Sequence, residues 1–131
     1  FHAGMAYFVT GRLDECAEAL EKGKRFFAPP GWAEGTLGLA EIKRGNRDMA
    51  AKRLEEALEH KKVIKHISSV GIAWLAAGLG RLDLAFEHFD KAYDERDTLM
   101  AFIHIYVDVF SQSLAADPRF KALLAKMKLD L

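Results

Sequence analysis

The sequence predicts an all-α protein of about three helix-turn-helix pairs followed by C-terminal capping helices, and three observations predict it. Gly11, Gly45 and Gly80 stand 34 and 35 positions apart, close to the ~34-residue period at which helix pairs repeat. Each glycine is followed at the same offsets by the same kinds of residue: Asp14, Cys16, Leu20 and Gly23; Asp48, Ala50, Leu54 and Ala57; Asp83, Ala85, Phe89 and Ala92. Seven positions before each glycine stands a small residue, Gly4, Gly38 or Ala73, as two helices require where their backbones come close.

Taken in order, residues 1–10 read FHAGMAYFVT, apolar almost all round, which is the pattern of a helix buried against neighbours. Patterned residues reach back thirteen positions from Gly45 and from Gly80, whereas only ten residues precede Gly11, so the first repeat reads as clipped. Together with the absent initiator Met, this predicts that the 131 residues are the end of a longer chain. The spacing predicts a helix over 14–27, ended by Pro29-Pro30-Gly31, where two prolines lack N–H donors and glycine permits a sharp turn. Helices are then expected over 32–44, 48–60, 68–79 and 83–95, with the extra residue of the longer spacing placed between His60 and Ser68. The first-turn acids Asp14, Asp48 and Asp83 favour the positive end of each helix dipole. Residues 99–109 are strongly apolar; Asp117 then reads as an N-cap with Pro118 at the first helical position, and Phe120, Leu123, Leu124 and Met127 share one face. The repeats are expected at about 1–28, 31–65 and 66–97, and the cap at 98–131, in one domain. A closing segment of different pattern is what a solenoid needs to cover its last apolar face.

Composition sets the class. Half the residues are hydrophobic and 29% are charged, with 19 basic and 19 acidic side chains. That balance argues against a field strong enough to collect nucleic acid or anionic membrane without regard to sequence. The one cysteine, Cys16, cannot form an internal disulfide and occupies a position that calls for a small apolar side chain. No apolar run approaches the roughly 20 residues that span a bilayer, and no signal-peptide pattern opens the chain. The expected setting is a reducing cytoplasm.

The chain resembles a tetratricopeptide repeat array. The resemblance rests on Leu37-Gly38 in the second repeat, Gly4 with Tyr7 in the first and Ala85 with Phe89 in the third, and covers about residues 1–96. The second and third repeats lack the family's terminal proline, and Cys16 and Gly23 replace its usual alanines. The resemblance implies a right-handed superhelix whose first-of-pair helices line a concave groove. The run Lys91-Ala92-Tyr93, Glu95-Arg96-Asp97, Asp117-Pro118-Arg119-Phe120 and Leu123-Leu124 also resembles the closing segment of tetratricopeptide regions in longer bacterial proteins, often behind a DNA-binding, kinase or cyclase-type domain.

Chemistry-bearing residues are sparse. His2, His60, His66, His88 and His104 include no pair four apart that would set two imidazoles on one helix face. The recurring aspartates are helix starters, one per repeat, and the serines stand in no nucleophile elbow. No phosphate loop or Cys-x-x-Cys pair is present, so neither an active site nor a metal or cofactor is expected.

Function is expected from the groove. The positions implied to face it are Phe1, Met5 and Phe8; Trp32, Gly35, Leu39 and Ile42; and Ile67, Val70, Trp74 and Ala77, with no polar side chain among them. The Lys, Arg and Asn clamp of family members that hold chaperone tails is absent. Such a stripe is either core, filled by the chain's own apolar tail, or an open groove that takes an apolar segment on Trp32 and Trp74. The expected function is a non-catalytic protein-interaction or scaffold module. The alternatives are an effector-sensing domain for a small apolar ligand and a homo-oligomerisation unit.

Overall fold

The computed structural model describes residues 10–23, 32–64, 67–103 and 111–127, and the regular structure among them is entirely helical. Seven α-helices run α1 (Leu13–Gly23), α2 (Trp32–Lys43), α3 (Arg47–Val63), α4 (Ser69–Gly78), α5 (Leu82–Asp94), α6 (Gln112–Ala116) and α7 (Pro118–Lys126), with a 3-10 helix at Thr98–Phe102. None of these helices is long and apolar enough to cross a membrane. The helix expected before Thr10, the expected end of the 14–27 helix with its Pro29-Pro30-Gly31 stop, and the apolar tail beyond Ile103 as far as 110 lie outside the described residues.

The turns form where the repeated glycines stand. Gly11, Gly45 and Gly80 have φ of 79°, 86° and 79°, the left-handed region that glycine enters without steric cost. At Gly45 the N–H donates to the Ile42 carbonyl at 3.0 Å and the Asn46 N–H to the Glu41 carbonyl at 2.8 Å. Gly80 and Arg81 repeat this with Ala77 at 3.0 Å and Ala76 at 2.9 Å. These paired bonds satisfy the last carbonyls of α2 and α4 and let the chain reverse within three residues. The pattern then recurs at the end of α5, where the left-handed residue is Arg96, with φ 55°. Its N–H donates to Tyr93 at 3.1 Å and that of Asp97 to Ala92 at 2.9 Å.

After each turn the repeated apolar positions are buried: Cys16 and Leu20 on α1, Ala50, Leu54 and Ala57 on α3, and Ala85, Phe89 and Ala92 on α5. The first-turn aspartates stay exposed. Two of them tie elements together, Asp14 to Arg44 at 2.9 Å and Asp83 to Arg119 at 2.7 Å. The expected end of α1 at Phe27 lies outside the described residues; the other expected boundaries hold to one residue except at the end of α3, which runs to Val63 rather than His60. No helix breaker stands between the two, and Lys61 and Lys62 complement the dipole of the last turn.

Packing centres on α4, which contacts α2, α3 and α5. Every residue from Ser69 to Ala77 is buried. The contact with α2 depends on absent side chains. A Cβ on Gly35 would lie 2.4 Å from the Gly71 carbonyl oxygen, and one on Gly38 would lie 2.4 Å from Leu75 Cδ1. Gly35 was expected to line the groove; the structure sets it instead at this helix crossing, because only a residue without a side chain lets the two backbones touch.

The C-terminal segment joins the same core. Asp117 caps α7 by accepting the Arg119 N–H at 2.9 Å, with Pro118 opening the helix as expected. Helix α7 contacts α5 and buries Phe120, Leu123 and Leu124. The Arg119 guanidinium lies 4.5 Å over the Phe86 ring, an attractive contact between a cation and an aromatic face.

Replacing Gly35 with Ala should force α2 and α4 apart and cost about 1–3 kcal/mol. A chemical-denaturation midpoint within error of the parent's would show that the crossing is not as close as described.

Candidate functional site

The predicted inner-face residues come together, but inside the core. Leu39, Ile67, Val70 and Ala77 are buried and Trp74 is 1% exposed, while Ile42 is half-buried. Trp74 meets Phe89 of α5 edge-on, ring centroids 5.3 Å apart at 86°, the geometry that aromatic quadrupoles favour. Trp74 is therefore a core residue and not the partly exposed anchor that an open groove requires. The reason is tertiary: with α2, α3 and α5 all against α4, no face of that short apolar helix remains free. Met5, Phe8 and the side chain of Trp32 lie outside the described residues.

An accessible surface is an open cleft of about 670 Å³ between α3 and α5. Half-buried Leu58 and Leu84 and buried His88 line it, with Glu55, Glu59 and Lys62 from α3 and Glu87, Lys91 and Asp94 from α5 at its margins. One end is closed by a polar network. The Lys61 ammonium donates to the Ile67 carbonyl at 2.7 Å and to both Glu95 oxygens at 3.1 and 3.2 Å. The Ser69 hydroxyl donates to Glu95 at 2.7 Å, and that of Ser68 to Asp97 at 2.8 Å. Burial by itself pushes the Glu95 carboxyl up, but the Ser69 and Lys61 bonds outweigh it and hold it below the ordinary carboxylate range. Its contribution to stability is thus full above the ordinary carboxylate pKa and lost as pH falls through the lowered value. The signal for this cleft was in the sequence as the charged face of α3, which reads locally as a solvated surface; its facing partner, α5, is supplied only by the fold.

His88 is the chemically unusual member. Its side chain is buried and Nδ1 has no hydrogen-bond partner among the described residues. Desolvation lowers its pKa from 6.5, with Lys91 and Lys61 adding to the effect and Glu87 and Glu95 opposing it. The Cys16 thiol is raised by burial and stays a packing group. Among the described residues no cluster of three His, Cys, Asp or Glu could hold a metal.

Trp74→Ala should leave a core cavity and cost roughly 3–5 kcal/mol; an unchanged melting temperature would mean that the tryptophan is not packed as described. Because folded His88 binds its proton more weakly than the unfolded chain does, stability is full above pH 6.5 and falls as pH drops below it. The loss in melting temperature between about pH 7.5 and about pH 5.5, a window above the Glu95 titration, should shrink in His88→Leu. An equally pH-dependent variant would refute the assignment.

Compared with protein-family models, curated proteins and solved structures, the chain gave no match, so a functional reading rests on its own geometry.

Proposed function

We propose that the chain is a non-catalytic protein-interaction module of the tetratricopeptide type, whose partner docks in the outer cleft between α3 and α5. One observation carries the reading. Around Leu58 and Leu84 stand Glu87, Lys91 and Asp94, exposed charges with no ion pair among the described residues. Glu59 is engaged by Lys62 at 2.9 Å and Glu55 by Arg81 at 3.3 Å. An apolar floor inside a polar rim is how protein contact patches are built. With two uncommitted carboxylates against one ammonium, the rim favours a segment that carries an apolar anchor flanked by Lys or Arg. With Leu39, Val70 and Trp74 buried, this cleft is a surface a partner reaches without opening the core.

A peptide selected from a random library against the protein supplies the test. Replacing Glu87 and Asp94 together with Lys should weaken that peptide at least about tenfold, more at low salt than at high. Both positions are exposed, so stability should stay within about 0.5 kcal/mol. Equal affinity for parent and variant by fluorescence anisotropy would sink the proposal.

A further inference from the structure

A second concavity lies away from the outer cleft, where the end of α5, the 3-10 helix and the end of α7 meet. It is an open concavity of about 400 Å³, lined by Ala92, Tyr93, Arg96, Asp97, Met100, Ala101, Lys126 and Met127, a size within the range of small-molecule sites. Ala92 and Met100 are buried, Met127 is half-buried and the Tyr93 ring is partly exposed. The two thioethers make the apolar wall adaptable to the shape of an occupant.

The charges around it are unbalanced. Asp97 is spent within the fold, one oxygen accepting the Ser68 hydroxyl at 2.8 Å and the other the Leu99 N–H at 3.0 Å. Lys126 lies 4.2 Å over the Tyr93 ring and 3.8 Å from Asp90, a loose pair at the margin. Arg96 is exposed, and its guanidinium has no hydrogen bond or ion pair among the described residues. Its backbone is left-handed, φ 55°, in the same hydrogen-bonded turn that Gly45 and Gly80 close with glycine. Glycine would adopt that conformation without strain, so the turn gains nothing from the arginine. What the arginine adds is a charged fork at the mouth of an apolar pocket.

We propose that this pocket binds a small carboxylic acid with an apolar body. The body packs against Met100, Met127 and the Tyr93 ring. The carboxylate accepts charge-assisted hydrogen bonds from Arg96 and Lys126, and arginine offers these in the paired geometry that a carboxylate matches.

Octanoate and octanol are the probes, and the methionine methyl groups report by NMR. Octanoate at millimolar concentration should shift Met100 and Met127 saturably and leave Met49, exposed on α3, in place. Octanol should bind roughly tenfold more weakly or worse, lacking the charge. Arg96→Gly, which suits the turn, should fold and melt no lower than the parent yet lose about tenfold in octanoate affinity, with Lys126→Gln weakened in the same direction. Unmoved Met100 and Met127 signals, equal affinity for acid and alcohol, or undiminished affinity in Arg96→Gly would each overturn the proposal.

Discussion

The close approach of α2 to α4 is the constraint on which the rest of this structure depends. Where Gly35 meets Gly71 there is no room for one added carbon, and that proximity lets consecutive helix pairs share one core. Gly78 extends the same logic, since a Cβ there would lie 2.3 Å from Leu39 Cδ2. Glycine inside a helix costs up to about 1 kcal/mol relative to alanine. Burial outweighs it: Leu37, Leu39, Val70, Ile72, Trp74 and Leu75 are all withdrawn from water around this contact, and a fully buried side chain of this size contributes about 1.5–3 kcal/mol.

A polar seam complements the apolar one. The connection from α3 to α4 carries Ser68 and Ser69, which bond to Asp97 and Glu95 just past the end of α5, while Lys61 on α3 reaches Glu95 and the Ile67 carbonyl. Three helices are thereby held at one end by hydrogen bonds to charged groups, each worth more than a neutral bond but reduced here by the partial exposure of Glu95. The same seam bounds two surfaces: Glu95 and Lys61 line the cleft between α3 and α5, and Asp97 lines the C-terminal pocket.

Burial of Leu39, Val70 and Trp74 leaves accessible concavities at the edges of the helix packing. A helix that meets neighbours on every side offers nothing to a partner, so α4, the most apolar element, is the least available. Two reachable concavities among the described residues lie between α3 and α5, and between α5 and the C-terminal helix. Helix α5 borders both, presenting Glu87 and Lys91 to one and Tyr93 to the other.

By itself the sequence determined what is local. Positive-φ turns at Gly11, Gly45 and Gly80, the Asp117 cap with Pro118, the buried positions after each turn and the exposed first-turn aspartates all follow from backbone sterics, dipoles and helical periodicity within one or two turns of chain. Only the tertiary structure decided which of several apolar faces stays open. Trp74 has the same side chain whether it lines a groove or fills a core, and Gly35 fits a groove wall as well as a helix crossing; the neighbours that decide come from distant parts of the chain. Arg96 likewise reads as one charge among many until the fold closes a turn on it and sets it at a pocket beside Lys126, 30 positions along the chain. Periodicity reports which side chains avoid water, while the identity of what covers them is a property of the assembled helices.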